Sequence, residues 1–324
     1  MKNRVCEVLN IKKPVIQGPM AWISTAPLVA AVSNAGGLGV LGVGFAPLEF
    51  AIEQIKKTKE LTDKPFAINV DLSAKTLDNV TEMVRLEKPP VVYADTLENF
   101  KAEVLEKYFP IWHREGCKIV TKVGRLSDAI ASEKAGADVI IAKGWEGGGH
   151  TSFETTMVLT PLVKEHVAVP VVAGGGIATG RGAVAAIALG AEGIEMGTVF
   201  MASEEAPIHS NVKSEVVKCG DMRTVITGTC TGEPCRQIEN KLSDSMNALE
   251  VELSYTEAAE KLKEIAASSL KMAMVNGETE EHGAIMVGQI VPLVNRIRTT
   301  EEIIDEILEE ANKIVDEMHG FAWE

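Results

Sequence analysis

The chain has 324 residues, 46% of them hydrophobic and 24% charged, a globular composition that argues against disorder or a coiled coil and leaves room for one large domain or two modest ones. A net charge of −14 argues against nucleic-acid and anionic-membrane partners, since both demand clustered Lys and Arg. The five cysteines (Cys6, Cys117, Cys219, Cys230, Cys235) form no CxxC pair, so free thiols in a reducing compartment are expected and no metal site is predicted. The N-terminus has no signal-like apolar run and no stretch approaches the ~20 apolar residues of a membrane span, so a cytoplasmic location is expected.

Short apolar runs recur along the first two-thirds of the chain. They lie at Pro14–Gln17, Leu38–Gly42, Phe66–Val70, Val91–Ala94, Lys118–Val123, Asp138–Ala142, Val169–Ala173 and Gly193–Met196. Being rich in Val, Ile and Ala without polar alternation, they read as strands buried on both faces. Helical patterns fall between most of them: Pro27–Asn34, Leu48–Thr62, Leu77–Leu86, Leu97–Glu115, Leu126–Ala135, Thr156–Glu165 and Arg181–Leu189. Several end in Gly, the signal of a helix handing over to a strand. Eight such repeats predict a (β/α)8 TIM barrel, with a doubly wound open sheet as the rival. The rhythm stops after Phe200. Residues 204–284 read as a smaller, mainly helical inserted domain or lid, so that 1–203 and 285–324 make up the barrel. A capping box of Thr299 and Glu302 opens a final amphipathic helix that closes it.

Three glycine-rich turns carry the chemistry. Gly174-Gly175-Gly176 follows the seventh strand, and Gly197-Thr198 follows the eighth. Barrels commonly bind phosphate there through loop amides, and glycine lets the anion reach the backbone. Thr198 adds a hydroxyl donor. His150 stands beyond Gly147-Gly148-Gly149 after the sixth strand, where a near-neutral titrating group suits acid–base work. Gly18 lets the chain turn sharply after the first strand, where Met20 either covers a planar ligand or packs as a core side chain in a plain turn. Asn69 and Lys122, at the ends of the third and fifth strands, would face the same mouth. A flavin ring asks for such donors, acceptors and positive charge.

In order along the chain, IQGPMAW, SNAGGLGVLG, LTDKPFAINV, GWEGGGH, TTMVLTPLV, VVAGGGIATGRG, ALGAEGIEMGTVF and HSNVK resemble the flavin family of nitronate monooxygenases and enoyl-acyl carrier protein reductase II. The resemblance spans nearly the whole chain. It implies a barrel with non-covalent FMN. Gly18, Met20, Asn69 and Gly149 would contact the flavin, and Gly174, Gly175, Gly176, Gly197 and Thr198 would hold its phosphate. His150 matches the catalytic histidine. Thr155-Thr156-Met157, Arg236 with Asn240-Lys241-Leu242, and Met286-Val287-Gly288-Gln289 resemble the reductase branch; Lys122 resembles the monooxygenase branch. Asp71 and Asp95 depart from both and bring carboxylates toward the mouth, unless they serve only as helix N-caps.

The expected activity is therefore NAD(P)H-dependent reduction of the C=C bond of an enoyl thioester, with NADH or NADPH as reductant. The alternatives are oxidation of alkyl nitronates with O2 and non-enzymatic flavin binding. A thioester or other small molecule is the expected substrate, and an acyl carrier protein the partner the resemblance suggests. The bases Lys213, Lys218, Arg223, Arg236 and Lys241 are interspersed with Glu215, Asp221, Glu233, Glu239 and Asp244, so no basic docking strip is visible. A homodimer is the default oligomer.

Overall fold

A computed structural model describes residues 3–73, 75–96 and 100–320. Its strands are β1 (Val15–Gln17), β2 (Gly39–Leu41), β3 (Phe66–Asp71), β4 (Val91–Asp95), β5 (Lys118–Val123), β6 (Val139–Lys143), β7 (Gly149–His150), β8 (Val171–Gly174), β9 (Gly193–Met196), β10 (Thr224–Thr227) and β11 (Cys235–Ile238). Eight of these form one parallel sheet in the order β1-β9-β8-β6-β5-β4-β3-β2. The ends of that sheet meet: Ile16 bridges Leu38, Gln17 N–H donates to Leu38 O at 3.0 Å, and Leu38 N–H donates to Val15 O at 2.9 Å. The sheet is thus a (β/α)8 barrel.

Both faces of each barrel strand are buried, which explains the missing polar alternation in the sequence. Inward residues Ile16, Val40, Ala67, Val91, Tyr93, Val120, Val139, Ile141 and Val172 form one cluster, plugged from below by Val5 and Leu9 of the helix Arg4–Leu9. Their neighbours Leu41, Ile68, Val92, Ile119, Ile140 and Val171 point outward and pack in the cluster that the surrounding helices share. The barrel helices run Ala26–Asn34, Leu48–Leu61, Leu77–Glu87, Ala102–Arg114, Leu126–Ala135, Thr156–His166 and Gly180–Ala188. The predicted start of the fourth of these, Leu97, lies outside the described residues.

The segment 204–284 holds helices Ser210–Lys218, Lys241–Glu252 and Tyr255–Met274, with a small core of Cys230, Leu242, Met246, Ala258 and Leu262. It also contributes the antiparallel hairpin β10–β11, strands that the expectation of a mainly helical unit did not include. Strand β11 pairs in turn with β7, setting Cys235 opposite His150 and Arg236 opposite Gly149. The chain then returns to the barrel. The helix Thr300–Met318, opened by the reciprocal Thr299–Glu302 capping box, packs on the helix Gly180–Ala188. Their approach is close enough that a Cβ on Gly180 would lie 2.5 Å from Ala311 N. Among the described residues, no helix is long and apolar enough to cross a membrane.

Candidate active site

Strand geometry assembles the site. Side chains alternate in direction along a strand, so the parity that sends Val40, Ala67, Val91, Tyr93, Val120, Val139 and Ile141 inward continues to the carboxyl ends. There it delivers Gly18, Gly42, Asn69, Asp95, Lys122, Lys143 and Glu195 to the mouth of the barrel. All seven line a single cavity of about 660 Å³. Catalytic groups in this fold sit at that end, because the loops there are free to vary while the barrel stays packed.

One pole of the cavity is built from glycine. Gly175 and Gly176 have φ of +90° and +72°, a left-handed backbone that side chains resist. A Cβ on Gly175 would lie 2.9 Å from Gly144 O, and one on Gly176 would lie 3.2 Å from Glu146 Cβ. Among the described residues, none accepts a hydrogen bond from the amides of Gly175, Gly176 or Gly197. Those N–H groups flank the cavity with Thr198, whose Oγ1 accepts from Gly288 N–H at 2.9 Å and keeps its own hydrogen to donate. Free amides arranged in this way can hold an anion such as a phosphate. Gly288 itself admits no side chain, since a Cβ would stand 2.7 Å from Glu146 O.

The floor is a charge network in which Tyr93 and Glu195 are buried and Asp95, Lys122 and Lys143 are partly buried. The Tyr93 hydroxyl donates to Glu195, and Lys122 is ion-paired with Asp95. Asn69 Nδ2 donates to Asp95 Oδ1 at 2.8 Å. Burial pushes the Glu195 carboxyl up, against the pull of Lys122, the Tyr93 hydrogen bond and Lys143. Burial opposes the charge on Lys122, but Asp95 and Glu195 outweigh it and leave that ammonium above its ordinary value. At Lys143 the pull of Glu195 and Asp95 is too small to offset the rest. Burial, then Lys122, brings it down to about 8.

His150 closes the cavity from the side. Gly149, at φ +66°, turns the chain so that β7 pairs with β11. Burial lowers the imidazole to about 4, with Lys143 and Lys122 acting in the same direction and Asp95 against them. The ring is therefore neutral near pH 7. It is suited to accept a proton or to donate one hydrogen bond, and unsuited to serve as a standing imidazolium. Lys143 Nζ donates to Gly148 O at 3.0 Å and to His150 O at 2.8 Å. Behind the loop, buried Arg236 donates to Trp145 O at 3.3 Å and lies over its ring at 5.2 Å.

Of the residues singled out from sequence, Gly18, Met20, Asn69, Lys122, Gly149, His150, Gly175, Gly176, Gly197 and Thr198 lie around this one cavity. Gly174 does not line it. It ends β8, and its carbonyl accepts from Gly144 N–H at 2.9 Å and Thr156 Oγ1 at 3.1 Å. Asn69 reaches the wall with its amide nitrogen already engaged by Asp95. Asp95 is a member of the network, whereas Asp71 accepts from Ser73 N–H at 3.0 Å and shapes the turn after β3. Tyr93, Lys143 and Glu195 escaped the sequence reading. Their signal was a polar residue of inward parity in an otherwise apolar strand.

Comparison with known proteins follows the same geometry. The family model described as nitronate monooxygenase matches residues 2–108 and 106–310. A probable nitronate monooxygenase of Staphylococcus saprophyticus is 32% identical over 357 residues, covering 98% of this chain and 99% of its own length. Another, from Staphylococcus haemolyticus, is 36% identical over 290 residues, covering 76% and 81%. The structure of FabK from Thermotoga maritima matches with a TM-score of 0.92 at 38% identity, covering 99% of this chain and 100% of that one. A nitroalkane oxidase from Streptomyces ansochromogenes shares the fold, with a TM-score of 0.82 at 24% identity over 97% and 99% of the two chains.

Proposed function

This chain belongs to the nitronate monooxygenase family, and from that premise we propose an FMN-dependent oxidoreductase that reduces the C=C bond of an enoyl thioester with NADH or NADPH as reductant. Bound flavin would supply the two-electron chemistry, and the protein would supply binding, orientation and electrostatics. The amides of Gly175, Gly176 and Gly197, with the Thr198 hydroxyl, would hold the FMN phosphate. Gly18 and Met20 would cover the ring, and Lys122 with Asn69 would face its polar edge. His150, neutral and able to donate one hydrogen bond, would orient the thioester carbonyl.

One observation carries the choice of substrate. The cavity's wall includes Phe45, Phe100, Phe153, Leu270, Met286 and Ile290, and two of these leave apolar surface at the protein's exterior: Phe45 is 61% exposed and Phe153 77%. An acyl chain entering from solvent would find apolar contact along that path. The resemblance of Thr155-Thr156-Met157, Arg236 and Met286-Val287-Gly288-Gln289 to the enoyl-acyl carrier protein reductase II branch supports the same reading. Nitronate oxidation is the second reading. It is favoured by a neutral His150 able to act as base, with Lys122 and Lys143 near it to attract an anion.

The test is anaerobic. The purified yellow protein is mixed with NADH or NADPH and its flavin absorbance followed, then a trans-2-enoyl-CoA is added. Rapid bleaching by the nucleotide and recovery on adding the enoyl thioester are expected. Bleaching by an alkyl nitronate alone would overturn the reductase in favour of the second reading. Repeating the recovery with an enoyl-acyl carrier protein distinguishes the two thioester carriers. Comparable rates are expected, because a chain of net charge −14 offers an acidic carrier little electrostatic attraction.

A further inference from the structure

Lys143 is the last residue of β6, and three hydrogen bonds tie it to the segment that carries His150. Its Nζ donates to Gly148 O and His150 O, at 3.0 and 2.8 Å, and its own carbonyl accepts from Ser152 Oγ at 2.8 Å. The carbonyls on both sides of Gly149 thus converge on one ammonium. The intervening glycine at φ +66° has no side chain to resist other orientations, so the loop's own stiffness does not fix the histidine. Space is reserved for the lysine as well: a Cβ on Gly147 would lie 2.5 Å from Lys143 Cε. We propose that Lys143 is a positioning residue, which fixes the backbone of Gly148–His150 and thereby the direction of the His150 ring across the cavity.

Charge adds a second consequence. The groups acting on the imidazole are Lys143 from β6, Lys122 from β5 and Asp95 from β4, and β11 sets Cys235 across from it. Burial of that thiol raises it to about 12, so it stays neutral. Lys143 is the larger of the two like charges opposing an imidazolium, after burial itself. Removing it should raise the His150 midpoint from about 4 while leaving it short of the ordinary 6.5, because burial persists.

The inference rests on the proposed role of His150 only for its effect on turnover; the deciding measurements involve no substrate. Full-length protein, as purified with its flavin, is compared with Lys143→Met and Gly147→Ala. Amide hydrogen exchange is read over 147–151, and the His150 ring is titrated by NMR, assigned against His150→Gln. In Lys143→Met, exchange should rise by about tenfold or more, the loss of a charge-assisted hydrogen bond, and the midpoint should move up. In Gly147→Ala the charge stays but the ammonium is displaced, so exchange should rise with the midpoint nearly unmoved. Unchanged exchange in both variants overturns the proposal. If Lys143→Met does not fold, Gly147→Ala decides alone, because the atom it displaces is near the end of a flexible side chain. Absence of enoyl reduction in the parent protein, with the exchange pattern as expected in the variants, would refute the assigned reaction and leave the positioning role standing.

Discussion

The depressed His150 value makes stability depend on pH through one identifiable group. The folded imidazole titrates near 4 and the unfolded one near 6.5, so between these values the native state binds fewer protons than the unfolded chain. Stability must therefore rise with pH across that window, being fully present above about 6.5 and lost as pH falls toward 4. Worked as a single site, the proton not taken up costs about 2–3 kcal/mol near pH 4.5 and a few tenths near pH 7. The perturbation is His150→Gln, which removes the titration and keeps a neutral polar side chain. The assay is urea unfolding of both proteins at the two pH values. Between pH 7 and 4.5 the variant should lose about 2 kcal/mol less stability than the parent, whatever its stability at pH 7. Equal losses would mean that His150 is not held neutral by its surroundings, and the electrostatic account of the mouth would fail.

Gly175→Asp should yield a colourless protein, since its Cβ would lie 2.9 Å from Gly144 O and a carboxylate would oppose the phosphate; absorbance near 450 nm after purification reads the outcome, and a fully yellow variant refutes the cradle. Lys122→Met should cost roughly 3–5 kcal/mol by leaving Asp95 without its ion pair, and adding Asp95→Asn should recover part of that; a shift in urea midpoint that the second substitution does not reduce argues against the network. Gly180→Ala should lower the melting temperature by forcing the helices Gly180–Ala188 and Thr300–Met318 apart, at about 1–3 kcal/mol; an unchanged melting temperature would mean that this contact yields freely.

The barrel was legible because burial on both faces leaves strands without alternation, and every apolar run in the first 200 residues became a barrel strand. The glycine-rich wall was legible because Gly175, Gly176 and Gly197 stand at strand ends, where a missing side chain bares the backbone; that Gly175 and Gly176 also take left-handed backbone was not. The charge network was not. Asp95 and Lys122 meet because Ala94 is registered against Thr121 on adjacent strands, and the stagger of strands in a barrel is a property of closure that local sequence does not encode. Glu195 lay inside a motif read for its glycines. The pairing of β7 with β11 joins residues more than eighty apart through strands too short to have a periodicity of their own.

The same network bears on the choice between the two reactions. A nitronate is an anion, and its binding would draw on cations at the mouth. Lys122 already serves Asp95, and Glu195 stands close enough to raise it further, so most of its field is spent inside the protein. Lys143 is held by two backbone carbonyls, and burial brings it down to about 8, so its charge is the weaker-held of the two. An enoyl thioester makes a smaller demand. It carries no charge at its reacting carbons, and a neutral imidazole with one N–H to give is enough to orient its carbonyl. The arrangement of two cations, two carboxylates and a neutral histidine therefore suits a neutral polarised substrate better than an anionic one. It follows that alkyl nitronates should bind weakly and lose affinity as pH rises through about 8, where Lys143 gives up its charge, while enoyl thioester binding should stay flat over the same range. Inhibition of enoyl reduction by a nitronate, measured across that range, tests the argument; inhibition that is strong and independent of pH would reverse it.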